Sequence, residues 1–199
     1  MINKRLLSLA AASIMLLGLA SLASAGIPDD TNSTATSASG AVLVTPAGTG
    51  TPLSNAGLTI SVNVRDSNDD PIAGYPFQDI WADDVGNGDI ALCQGGSVAD
   101  GNTNASGDAT ISGAFAAGGS TQAGLQVYLA GTPLAGAALG IDLTSCDITG
   151  DLKVDLAVIG EFGTDFSGAY NFRSDFTVDG TVNLADVGEL GIHNGEVCP

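Results

Sequence analysis

The sequence predicts a mainly β protein: an antiparallel β-sandwich followed by a small α-helical module of duplicated loop–helix units. Two observations predict it. Between residues 40 and 145, apolar and polar residues alternate in short runs separated by Gly, Asn, Asp, Ser and Pro, the pattern of half-buried strands and tight turns. After Cys146 the acids gather in loops, each followed by a helix-length apolar stretch, and the segment from Asp147 recurs in register from Asp175, the mark of an internal repeat.

Taken in order, residues 1–25 read as a signal peptide. Lys4 and Arg5 precede an apolar run from Leu6 to Leu22, and Ala23-Ser24-Ala25 suits signal peptidase. The expected location is therefore secreted, extracellular or cell-surface, with no membrane insertion. Residues 26–39, "GIPDDTNSTATSAS", are small, polar and aperiodic and predict a flexible leader. The sandwich is expected over 40–145. Its clearest strand places Leu58, Ile60, Val62 and Val64 on one face, alternating with Thr59, Ser61, Asn63 and Arg65. Further runs centre on Ala109–Phe115, Leu125–Leu129 and Leu139–Leu143, with shorter ones at "AVLVT", "PFQDIWA" and "DIALC". Residues 146–199 form the loop–helix module.

After residue 25 the strong cations are Arg65, Lys153 and Arg173, three against 22 acids, a net charge of −19. Such a surface repels nucleic acid and anionic lipid and attracts cations.

The acids also carry a specific pattern. Calcium takes six to eight oxygens, and a twelve-residue loop supplies them from positions 1, 3, 5, 7, 9 and 12, with a sharp turn at 6. "DFTVDGTVNLAD" places Asp175, Thr177, Asp179, the Thr181 carbonyl, Asn183 and Asp186 at those positions, and Gly180 at the turn. Asn183 can cap a helix starting at Leu184. The echo "DITGDLKVDLAV" offers Asp147, Thr149, Asp151, the Lys153 carbonyl and Asp155. It departs at two places. Leu152 stands at the turn, where a left-handed backbone is costly for a side chain, and Val158 replaces the closing carboxylate. One Ca²⁺ is expected in the second loop. The first either holds a weaker ion or is purely structural.

Two resemblances rest on these residues. "LTISVNVRDSNDDPIAGYPFQDIWA" and "NTNASGDATIS" resemble bacterial Ig-like domains, which implies an Ig-like sandwich over about 40–145 and says little about function. The duplicated loops resemble type I dockerin repeats over about 146–198, EF-hand-type loop–helix units that bind calcium and plug into cohesin domains. That resemblance implies a cohesin-like or other cell-surface partner. It departs at loop positions 10 and 11, where Leu156-Ala157 and Leu184-Ala185 replace the Ser/Thr pair that dockerins use for recognition.

Three cysteines in an exported chain suggest one disulfide and one thiol. Cys146 and Cys198 flank the duplicated unit, whose approximate twofold symmetry favours pairing them. The rival is Cys93–Cys198. His193, the single histidine, reads as an exposed helix-end residue, and Trp81, Tyr75 and Phe77 read as sandwich core. No phosphate loop, zinc cluster or nucleophile elbow is visible in the sequence. The expected function is a non-enzymatic, calcium-binding adhesion or assembly protein. The alternatives are a self-assembling fibre subunit, with "GAVLVTPAG" donated to a neighbour's sheet, and a carbohydrate-binding module of a polysaccharide-degrading system reading sugars through Trp81.

Overall fold

The computed structural model describes residues 26–86 and 88–199; the signal-peptide reading of residues 1–25 lies outside the described residues. In chain order the strands are β1 (Thr34–Thr36), β2 (Gly40–Val44), β3 (Ile60–Asn63), β4 (Ile80–Asp84), β5 (Ile90–Leu92), β6 (Asp108–Ile111), β7 (Ala117–Gly119), β8 (Leu125–Leu129), β9 (Thr132–Pro133) and β10 (Ile141–Ser145). Two helices follow, α1 (Leu156–Phe166) and α2 (Leu184–His193). None of the described helices is long and apolar enough to cross a membrane.

One layer is the antiparallel sheet β1-β3-β6. In the other, β4 pairs with β8, β8 reaches the segment before β10 through a Leu125–Leu139 bridge, and β10 runs parallel to β2. Antiparallel pairing in both layers, with an early strand beside the last one, fits an Ig-like β-sandwich. Alternation along each strand sends one set of side chains inward. Ile60, Val62 and Ile111 of the first layer thus share a buried core with Ile80, Val127, Leu143 and Val44 of the second.

On β2, Val42 and Val44 enter that core and Leu43 between them points the other way. Leu43 joins a second core made of Cys146, Ile148, Val154, Val158, Phe162, Phe176 and Leu190. The C-terminal module therefore packs on the outer face of the β2–β10 pair. Helices of 11 and 10 residues are marginal alone in water. Burying each of Phe162, Phe176 and Leu190 contributes roughly 1.5–3 kcal/mol, so docking stabilises them more than propensity does. Polar contacts fix the fit. Gly119 N–H donates to the Asp147 carbonyl at 2.7 Å, and the Thr144 hydroxyl donates to the Arg173 carbonyl at 3.1 Å. Between the two units Arg173 clamps Asp165, Nε to Oδ2 at 2.7 Å, while Ser174 donates to the same oxygen at 2.6 Å. These bonds, the Arg173 bond foremost, hold the Asp165 carboxyl below the usual range against the opposing effect of burial.

Several expectations are corrected. The leader carries regular structure: β1 pairs with β3, and the Asn32 amide donates to the Asp66 carbonyl at 2.9 Å. Its composition hid a three-residue strand whose order comes from the sheet edge beside it. Residues 40–44, the segment suited to donation to a neighbour, pair with β10 of their own chain. The first residues of "PFQDIWA" form a 3-10 turn, Phe77–Asp79, before β4 begins. The disulfide is Cys93–Cys198, with Cα atoms 5.7 Å apart, and Cys146 is the free, buried cysteine. The ends of the duplicated unit do approach, since Val154 N–H donates to the Glu196 carbonyl at 2.9 Å. Cys146, however, turns inward between Leu43 and Ile148, which leaves the tail to reach Cys93 at the end of β5. Burial, with added repulsion from Glu189, Glu196 and Asp186, pushes the Cys146 thiol far above its ordinary value, so it packs as an inert small hydrophobe.

Candidate functional site

The two loops adopt one backbone. Each has left-handed residues at positions 4 and 6: Gly150 (φ 69°) and Leu152 (φ 67°) in the first, Val178 (φ 56°) and Gly180 (φ 85°) in the second. Each loop thus carries one glycine, at opposite positions, and one strained side chain. In each, the first aspartate accepts the N–H of position 6. Asp147 Oδ2 takes Leu152 N at 2.7 Å, and Asp175 Oδ2 takes Gly180 N at 2.8 Å. In each, position 9 caps the following helix. Asp155 Oδ1 accepts from Ala157 N and Asn183 Oδ1 from Ala185 N, both at 2.7 Å.

Closure distinguishes them. In the second loop Asp186 Oδ1 accepts the Thr177 N–H at 3.0 Å and its hydroxyl at 3.1 Å, while Oδ2 accepts Asn183 N–H at 2.8 Å and completes a capping box. Asp179 accepts the N–H and hydroxyl of Thr181 at 2.9 and 2.6 Å; the Thr181 bonds chiefly lower its carboxyl below the ordinary value. Tyr170 donates its hydroxyl to Asp175 Oδ2 at 3.0 Å. Burial and this bond push the Tyr170 hydroxyl up to about 12. In the first loop Val158 stands where Asp186 would be, fully buried in the second core. Asp151 and Asp155 lie exposed, and Asp147 alone turns inward.

Whether these residues suit a metal rests on charge. Asp175 and Asp186 are 1% and 0% exposed, and neither forms a salt bridge with any described residue. Buried carboxylates need a paired cation or coordinated metal. Against this, no group of three or more His, Cys, Asp or Glu converges as a ready metal cluster among the described residues. The loop's donor set, however, also includes Thr177, the Thr181 carbonyl and Asn183, oxygen donors suited to calcium. The donor chemistry therefore fits a hard cation, with the carboxylates turned toward the loop's own N–H and O–H groups. In the first loop Asp147 is as deeply buried but sits against a glycine. A Cβ on Gly118 would clash with Asp147 Oδ2, so β7 closes that side of the loop.

His193 departs from its expected exposure: it is 6% exposed, at the seam between module and sandwich. Nδ1 lies 3.2 Å from Thr49 Oγ1 and 2.9 Å from Glu196 Oε1. Burial pushes the Glu196 carboxyl up, but the bonds from His193, Thr49 and Thr45 outweigh it and leave it lowered. Thr49 and Glu196 meet the same ring nitrogen, while Nε2 faces Glu189 Oε2 at 3.7 Å. No local pattern signals this seam, because Thr49 lies 144 residues from His193.

No family model matches this chain, and no curated protein matches it. Among solved structures the filamin domain of Lin-41 is similar, with a TM-score of 0.32 and 20% identity over 58% of this chain and 95% of that one. A likeness at that level carries no functional argument.

Proposed function

We propose that this is an exported, non-enzymatic, calcium-binding protein of adhesion or assembly, in which one calcium ion orders a dockerin-like C-terminal module. The observation that carries the reading is the pair Asp175 and Asp186, buried in one twelve-residue loop without a cationic partner. Asp175, Thr177, Asp179, Asn183 and Asp186 would hold the ion by side chains and Thr181 by its carbonyl. A bound calcium would supply positive charge and fix the loop, and through the loop the start of α2. The first loop, closed by Val158, serves as its structural counterpart.

The surface that this ordering presents lies between the helices. Ile159, Phe166 and Val187, each about two-fifths exposed, line an apolar groove of about 380 Å³. A cohesin-like or other cell-surface protein is the partner we assign to it. Coupling metal to folding makes the groove sensitive to calcium, scarce inside cells and plentiful outside.

Limited proteolysis with far-UV circular dichroism tests this. Calcium should protect residues 175–186 from cleavage and raise helix content, EGTA should reverse both, and Asp175→Ala should abolish the response. Equal protection in calcium and EGTA would overturn the reading.

A further inference from the structure

Trp81 is the single tryptophan and is not where the sequence suggests. Tyr75 and Phe77 do pack against the core, but along β4 the buried residues are Ile80, Ala82 and Asp84, while Trp81 and Asp83 turn outward. The indole stacks on Tyr128, its partner across β8, with centroids 5.6 Å apart and planes 9° from parallel. Beside it lies a cavity of about 550 Å³ whose walls include Phe77, Gln78, Trp81, Gln94, Ser97 and Val98.

We propose that this cavity binds a neutral glycan segment, the Trp81 indole stacking on the apolar C–H face of a pyranose ring and Gln78, Gln94 and Ser97 bonding its hydroxyls. Three observations favour that occupant. No lining residue is charged, although the chain holds 22 acids, so neither a cation nor an anion finds a counter-charge in the walls. Tyr128 stacks on the indole, so the rings do not surround a quaternary ammonium as a cage would. The side chains of Gln78, Gln94 and Ser97 make no hydrogen bond among the described residues, which leaves amide and hydroxyl groups beside an aromatic face, the mixture that orients a polar ligand in an apolar pocket. The platform is also held in place: Cys93 lines the cavity and is tied to the C-terminus by its disulfide.

With one tryptophan, intrinsic fluorescence reports the site directly. Residues 26–199 would be titrated with soluble hexasaccharides of glucose, xylose, mannose and N-acetylglucosamine. Oligogalacturonate, tetramethylammonium and an apolar hexapeptide would serve as the other candidate occupants. At least one neutral hexasaccharide should give a saturable change, unaltered by EGTA, which separates this test from that of the calcium loop. Affinity electrophoresis in the matching polysaccharide should show at least tenfold weaker binding for Trp81→Ala and several-fold weaker binding for Gln94→Ala, an exposed site that leaves packing intact. Silence toward all four neutral sugars would overturn the proposal. So would a response confined to the anion, the ammonium or the peptide, or unchanged affinity in Gln94→Ala together with Trp81→Ala.

Discussion

The two loop–helix units share a backbone path, a first aspartate aimed at the sixth N–H and a capping residue at position 9, yet they are closed by opposite chemistry. In the first unit the twelfth residue is Val158, which seals the loop by entering the core. In the second it is Asp186, equally buried, which seals the loop by accepting three hydrogen bonds. The first loop buries one carboxylate, Asp147, and the second buries two, Asp175 and Asp186, so the carboxylate closure adds a second buried acid and the stronger call for a cation. On the calcium reading proposed above, the closing position is where the two units part: Val158 in the first, Asp186 in the second.

The largest expected effect comes from the staple that serves the units unequally. The tail running to Cys198 pairs with the first unit, through Val154 N–H to the Glu196 carbonyl and Gly195 N–H to the Val154 carbonyl, at 2.9 and 2.8 Å. Val182, at the matching position of the second unit, only packs against the core. Cys93→Ser with Cys198→Ser should cost about 4 kcal/mol in urea unfolding. Hydrogen exchange should accelerate more at the Val154 amide than at the Gly180 amide; equal acceleration would remove the asymmetry.

Next is closure itself. Asp186→Ala strands partly buried donors at Thr177 and Asn183 and removes half of the capping box, an expected loss of about 3 kcal/mol confined to the second unit. Thermal melts with and without calcium check it: the calcium-induced rise in Tm should vanish together with the stability. Gly118→Ala probes the first unit from outside. The added methyl meets Asp147 Oδ2 and lies 2.8 Å from its Cγ, and overpacking of this kind costs about 2 kcal/mol. Calcium affinity should be unchanged in that variant if, as proposed, the ion sits in the second loop.

Much of this was legible in the sequence, for reasons specific to particular residues. The strand at Ile60 and Val62 and the helix starting at Leu184 announce themselves by local periodicity and by the Asn183 cap. The repeat register located both loops and identified Leu152 as the awkward residue, which does adopt a left-handed backbone at φ 67°. The choice of Cys93 over Cys146 was hidden, because it depends on which way the Cys146 side chain leaves the end of β10. The burial of His193 was hidden too, since Thr49 and the tail meet it only in three dimensions. Trp81 was misplaced because "PFQDIWA" gives no phase for the alternation: the 3-10 turn at Phe77–Asp79 resets which residues face inward.

The smallest expected effect is the exchange of glycines. Leu152→Gly should relieve left-handed strain and stabilise by about 1 kcal/mol, whereas Gly180→Ala should cost about 1 kcal/mol. Chemical denaturation of both variants measures this, and effects of like sign would mean that the two turns are not equivalent.

The most direct measurement is calorimetric titration of calcium into residues 26–199, beside Asp175→Ala and Asp147→Ala. One site is expected, lost in Asp175→Ala and retained in Asp147→Ala. Absence of binding in the wild type, or one site lost with Asp147→Ala and kept with Asp175→Ala, would contradict the assignment of the ion to the carboxylate-closed loop.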